Sequence, residues 1–488
     1  MQTTYSLKNF VLKVWLPIVV FWTVLFMFGY PLPNIDDLFF TGAAINLAKG
    51  QDFTNPYLEV WNSALSSGKF YFQPPFYSYT LAGWIKLTGI STTNLRLFQY
   101  LCYNVFSLSA ALLLRFYKFP KYTVFCTTFL FAAWHCNPNP YCGSGFRQDA
   151  LGMAFLALGL WLLSGRNWWR YFLGFSFVES AAFTSPISVA YAFPFTVAIL
   201  AIEFVNFQKA KNNNRQYFIN IMLAFLAATL IIFTLFLLCI NFDLQGFLSD
   251  FVLHASWRRT PTLKAIPVFI KLISQYYGMV LYVPSYILFL FLVAVTFVKG
   301  KQIRLDLKIL LTALFAGMLL NILLYASAIF FIFFFCWLGI ACIIPMIFNN
   351  KKPIIYAYLG TIVLFFSSQT LNILCLQKEY DPENKYREIK EVVLAKPSRK
   401  YAIDSIAARF VFDYNLPKNT INWNYLKPAP DANPNSSKDK KHDVTWIVSK
   451  SNLGHYVPEM QPDYPKIEFL GRKFNSLPKK PFDVIMIP

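Results

Sequence analysis

Charge is what this chain has least of. Charged residues fill only 14% of its 488 positions, against 56% hydrophobic and 19% aromatic, whereas a soluble chain carries about a quarter charged. That shortage excludes water as the main solvent. Acid is the scarcer sign, 24 Asp and Glu against 44 Lys and Arg. Of those 24, 14 fall in the stretch 379–488, so the carboxylates ahead of it can be weighed one by one. Glycine, at 20 residues, nowhere forms a phosphate-cradling motif, so nucleotide binding is not indicated. Of the eight cysteines most lie in or beside apolar runs, and His135-Cys136 with Cys142 lacks the two-plus-two ligand set of a structural zinc site. A Cys136–Cys142 disulfide and two unpaired thiols both fit that spacing. No internal repeat is evident.

What the chain has in abundance is apolar runs near the roughly 20 residues that cross a hydrocarbon core as helix. They lie near 10–30, 94–115, 121–137, 147–164, 170–186, 187–205, 217–241, 278–298, 308–328, 329–348 and 353–377. The fold class expected is therefore mainly α: a polytopic membrane helical bundle of about eleven transmembrane helices, followed by a small extracytoplasmic α+β domain. The net charge of +20 sits largely in short connections rather than on one soluble face, so topology accounts for it and no nucleic-acid partner is expected. Arg115/Lys118/Lys121, Arg166/Arg170, Lys209/Lys211/Arg215, Lys299/Lys301/Arg304/Lys308 and Lys351/Lys352 mark every second connection. With Lys8 and Lys13 these place the N-terminus inside and the tail outside. The first run ends in Gly29-Tyr30-Pro31 rather than a small-residue cleavage site and reads as a retained anchor. A single broken helix over 170–205 would reverse everything after it.

Two regions leave the membrane in this reading. Residues 1–378 form the transmembrane domain, and within it 31–93 is a first extracytoplasmic loop whose short amphipathic runs suit the interface. The tail, 379–488, alternates short apolar strands such as Val444–Val448 and Val484–Ile487 with polar turns. Lys427–Lys441, dense in Pro, Asn, Ser and Lys, reads as a mobile loop within it.

Asp36 and Asp37 follow the first span closely, at the depth of a lipid phosphate. A carboxylate pair suits a general base, because repulsion and desolvation raise one proton affinity. The structural alternative is N-capping of an amphipathic helix over 38–48. Asp149, in Arg147-Gln148-Asp149, begins the fourth span on the same face, and either a cap or a local pair with Arg147 competes with a functional role. Glu179 falls near the middle of the fifth span, where an ionisable group marks a function or a buried partner. Between the seventh and eighth spans lie His254, Trp257, Arg258, Arg259 and Lys264. Snorkelling explains any one of these cations, yet the cluster is basic on the face that should be neutral, and cations beside an aromatic suit a phosphate headgroup.

Three stretches together resemble the GT-C superfamily of membrane glycosyltransferases, in its branch of protein O-mannosyltransferases and lipid A aminoarabinose transferases. Asp36-Asp37-Leu38-Phe39-Phe40 with Ala43–Gly50 is similar to that branch's acidic pair, helix and closing glycine. Gln73-Pro74-Pro75-Phe76-Tyr77, Leu87-Thr88-Gly89 and Asn94-Leu95-Arg96-Leu97 resemble its Lys-Pro-Pro-Leu segment, Leu-Phe-Gly turn and Ala-Arg-Leu helix start. Arg147–Leu151 resembles its acidic motif on the fourth helix, and Ala182–Pro186, more weakly, its Leu-Thr-Lys-Gly-Pro segment. The match covers about the first 205 residues and rests on order, spacing and common face.

The resemblance implies an inverting transfer of a sugar from a polyprenyl-phosphate donor to a glycan, lipid or protein acceptor, on the non-cytoplasmic face of a bacterial inner membrane. Asp36, Asp37 and Asp149 are then the catalytic candidates. Arg258, Arg259, Lys264, Gln73 and Tyr77 are candidates for holding the donor phosphate, with Arg147 and Glu179 beside them. Gln73 and Ser185 stand where the family often has lysine, which removes two phosphate contacts that Arg258, Arg259 or Lys264 would supply. No cofactor is implied; the carboxylates are hard oxygen ligands compatible with a divalent cation, though no complete metal site is visible. Two other classes use a similar layout. A transporter or flippase fits many spans with intramembrane charge, although no inverted repeat is seen; a surface-polysaccharide polymerase or ligase calls for a larger late loop than 242–277.

Overall fold

The computed structural model describes residues 6–31, 36–58, 65–117, 145–165, 167–209, 215–258 and 305–324, with short strands and a few single residues beyond them. The expected spans at 121–137, 278–298, 329–348 and 353–377, the Cys136 and Cys142 pair, Arg259, Lys264 and the 427–441 loop lie outside the described residues. What is described is mainly helical. Among the described residues four helices are long and apolar enough to cross a membrane: α1 (Leu7–Met27), α4 (Thr92–Phe116), α7 (Pro186–Lys209, apolar over Pro186–Gln208) and α8 (Arg215–Cys239). Between and around them lie α2 (Asp37–Ala48), α3 (Phe76–Thr88), α5 (Gln148–Leu163), α6 (Trp168–Ala182), α9 (Leu244–Arg258) and α10 (Leu305–Leu324).

Helix α1 shows why such a segment belongs in lipid. Phe10, Val14, Ile18, Trp22 and Leu25 recur at helical spacing and are buried, yet the opposite face, Leu12, Leu16, Val20 and Val24, is equally apolar and exposed. The buried stripe packs on α4, where the Trp22 and Tyr103 rings stack at 4.7 Å and Trp22 Nε1 donates to Ser107 Oγ at 3.2 Å. At the far end the Arg96 guanidinium donates to the carbonyls of Phe26 and Tyr30. A cation closing the C-terminus of a helix satisfies orphan carbonyls and opposes the helix dipole. Helix α8 repeats the pattern, with Leu223, Leu226, Leu230 and Phe233 exposed.

The region 170–205 is two helices. Pro186 has no N–H to extend a ladder from α6, and Phe183–Ser185 turns the chain between α6 and α7. Glu179 consequently lies in the last turn of α6 and not at mid-span, where its Oε1 accepts from Thr229 Oγ1 of α8 at 2.7 Å. Helices α5 and α6 pack closely because a Cβ on Gly159 would lie 2.7 Å from the Gly174 carbonyl oxygen.

Helix α2 corrects the expectation of an amphipathic interfacial segment: every residue from Asp37 to Asn46 is buried. Small residues permit it. A Cβ on Gly42 would fall 2.1 Å from Asn55 Oδ1, and Asn55 Nδ2 donates to the Leu38 and Phe39 carbonyls at 3.1 Å each. The loop thus seals one side of the helix, which leaves no face for water or lipid.

In the tail, Val444–Ser449 and Val484–Ile487 do form strands, β3 and β6, paired antiparallel with Ile447 opposite Met486. Strands β1 (Lys400–Ile403) and β2 (Thr420–Asn422) complete a sheet of order β2-β1-β3-β6, parallel at β1. A hairpin joins β4 (Lys466–Phe469) to β5 (Arg472–Asn475).

Candidate functional site

The start of α5 meets the start of α2, and the meeting point is Arg147. Its Nη1 donates to Asp36 Oδ2 at 2.7 Å and its Nε to Asp149 Oδ2 at 3.0 Å. The guanidinium carbon also sits 4.9 Å from the centroid of the Phe40 ring. Burial disfavours the Arg147 charge, but Asp149 and Asp36 outweigh it and hold the guanidinium above its ordinary range. One cation therefore ties two carboxylates that lie more than a hundred residues apart in sequence.

Their exposures divide the carboxylates. The Asp36 side chain is 28% exposed and that of Asp149 only 5%, while Asp37 is wholly buried. Asp149 spends its other oxygen on Ser185, whose Oγ donates to Oδ1 at 2.6 Å. Asp37 Oδ1 accepts the backbone N–H of Phe146 at 2.8 Å. Helix capping is thus not what this pair does: Asp36 occupies the N-cap position of α2 without a side-chain capping bond, and Asp37 binds a distant segment. The local Arg147–Asp149 pair exists, as one arm of the larger cluster.

Gln73 and Tyr77 face the same segment from α3 and the loop before it. Both are buried. Gln148 Nε2 donates to Gln73 Oε1 at 2.7 Å. Tyr77 Oη donates to the Phe146 carbonyl at 2.7 Å and accepts from Gln99 Nε2 at 3.1 Å; that amide also donates to the Arg147 carbonyl at 3.1 Å. Burial, reinforced by neighbouring Cys102 and Asp37, holds the Tyr77 phenol well above its ordinary pKa, so it stays a proton donor. Residues 146–149 are therefore gripped by Asp37, Tyr77, Gln99, Gln73 and Ser185 at once. Gln99 and Gln148 were not singled out from sequence, because a neutral amide in an apolar helix carries no signal of its own.

Arg258 is the last residue of α9. Glu179 pairs with Thr229 and not with this cluster. Among the described residues no three or more His, Cys, Asp or Glu side chains group as metal ligands. Chemically, the cluster offers one partly exposed carboxylate whose position is fixed through a guanidinium by a buried second carboxylate. No protein-family model and no curated protein matches the chain, so the functional reading rests on this geometry and on the motifs.

Proposed function

We propose that the protein is an inverting glycosyltransferase that moves a sugar from a polyprenyl-phosphate donor to an acceptor hydroxyl at the non-cytoplasmic membrane boundary. The observation that carries this reading is the Asp36–Arg147–Asp149 bridge, in which Asp36 alone of the three acids is substantially exposed. A base has to lie within about 3 Å of the proton it takes, and Asp36 is the carboxylate a substrate can reach. In the proposed reaction Asp36 accepts the acceptor hydroxyl proton as that oxygen bonds to the anomeric carbon. The bond from that carbon to the carrier phosphate breaks, and the phosphate leaves with the electron pair. Positive charge developing on the sugar ring is favoured by a cluster with more carboxylates than guanidinium groups.

In this reading Asp149 and Asp37 position the site: Asp149 through Arg147, Asp37 through Phe146. Gln73 and Tyr77, whose polar ends are engaged inside the cluster, join them in that role. The donor phosphate then falls to Arg258, Arg259 and Lys264. We further propose the complete arrangement expected from the sequence, a multi-pass bundle of about eleven spans in a bacterial inner membrane, with the sheet-bearing tail as an extracytoplasmic domain.

The test is incubation of the purified protein with radiolabelled polyprenyl-phosphate sugars and membrane extract. Label moving from carrier to a new acceptor supports the proposal. Label that stays on the carrier while the whole molecule crosses reconstituted liposomes would instead identify a flippase.

A further inference from the structure

We propose that Asp250 and His254, one turn apart on α9, are positioning residues that set the Asp36–Arg147–Asp149 site through the 65–73 segment. Only the expected effect on transfer rests on the function proposed above; the mechanical link does not.

Asp250 is 1% exposed and gathers donors from two consecutive residues. Ser66 supplies its N–H at 2.9 Å and its hydroxyl at 2.8 Å to Oδ1; Ser67 supplies its N–H at 3.2 Å and its hydroxyl to Oδ2. A carboxylate accepting both backbone and side-chain donors is a strong tether, because each bond is charge-assisted and the carboxylate itself is buried. On the next turn the buried His254 bonds through Nδ1 to the Phe72 carbonyl at 2.9 Å. An N–H must donate to that carbonyl, so Nδ1 carries the proton. The His254 ring also lies 5.0 Å from Phe72 and 5.7 Å from Phe39, centroid to centroid.

Both ends of the catalytic cluster are therefore one step away. Phe72 precedes Gln73, which receives the Gln148 amide beside Asp149. Phe39 belongs to α2, whose first residue Asp37 holds Phe146. Helix α9 thus grips the loop at 66–67 and 72 and packs on α2. It ends in Arg258, the proposed donor contact, so it joins the donor end to the base end.

Hydrogen–deuterium exchange on the detergent-purified full chain tests the link without any substrate, and transfer kinetics test its consequence. In Asp250→Ala the amides of 66–73 should exchange faster, and so should that of Phe146, by roughly tenfold, while α4 stays as protected as in the wild type. Turnover should fall roughly tenfold to a hundredfold, with donor affinity kept. His254→Asn keeps a donor near the Nδ1 position and should stay close to wild type, whereas His254→Leu should match Asp250→Ala; Asp250→Asn serves if Asp250→Ala does not fold. Faster exchange confined to 66–73, with Phe146 and turnover unchanged, would overturn the proposal, as would loosening spread evenly through α4. A wild type with no transfer at all would overturn the glycosyltransferase reading, and the Phe146 amide would still decide for or against the tether.

Discussion

Asparagine caps a helix nearly as well as aspartate but does not take a proton at neutral pH, so amide substitutions separate the roles of the three acids. Asp36→Asn should abolish transfer, by roughly a hundredfold or more, with the fold intact, measured as turnover at saturating donor. Asp37→Asn is expected to behave differently, because an amide oxygen still accepts the Phe146 N–H. Asp37→Leu removes the carboxylate that accepts that buried N–H, at a cost of about 1–3 kcal/mol, read as a lower melting temperature in detergent. Asp149→Asn removes a charged partner from buried Arg147 and should cost up to about 3 kcal/mol, since Asp36 remains. These acids were legible in the sequence because carboxylates ahead of the tail are so few. Asp250 and its serine partners were not: nothing in Ser66-Ser67 or in the α9 sequence announces a contact across more than 180 residues. Ser185 was noticed only as a missing lysine, whereas it is a hydrogen-bond donor to Asp149.

Among the elements, α2 carries the strictest packing demand. Gly42→Ala would drive a methyl into the Asn55 amide, and Asn55 is itself buried and bonded to α2. We expect a loss of about 1–3 kcal/mol from such overpacking, seen as a drop in thermal midpoint that Gly83→Ala, which meets open space, does not share. Hydropathy located α1, α4, α5, α6, α7, α8 and α10 to within a few residues, because an apolar run of that length has few other uses. It misjudged α2, since Gly42, Ala43 and Ala44 read equally well at an interface or in a core, and only Asn55, brought over by the loop, decides between them. It also put Glu179 near the middle of its helix, whereas α6 ends at Ala182, ahead of Pro186, and leaves Glu179 in the last turn.

At the scale of the molecule, the topology we propose puts the loop holding α2 and α3 on one side and Arg115, Arg166 and Arg215 on the other. Reporter fusions after Gly68 and near Ser437 should both behave as exported; opposite behaviour would mean a miscounted span. Replacing Arg258 and Arg259 together with Gln should weaken donor binding while the protein still folds, and unchanged affinity would assign both to membrane anchoring. In the proposed reaction a carboxylate at the membrane boundary accepts a proton during sugar transfer from a lipid phosphate. The most direct measurement compares wild type and Asp36→Asn, each purified and folded, for binding of a labelled polyprenyl-phosphate sugar and for single-turnover release of the bare carrier phosphate. That role predicts equal donor binding, with carrier release in the wild type and none above background in the variant. Release at the wild-type rate by Asp36→Asn would contradict it.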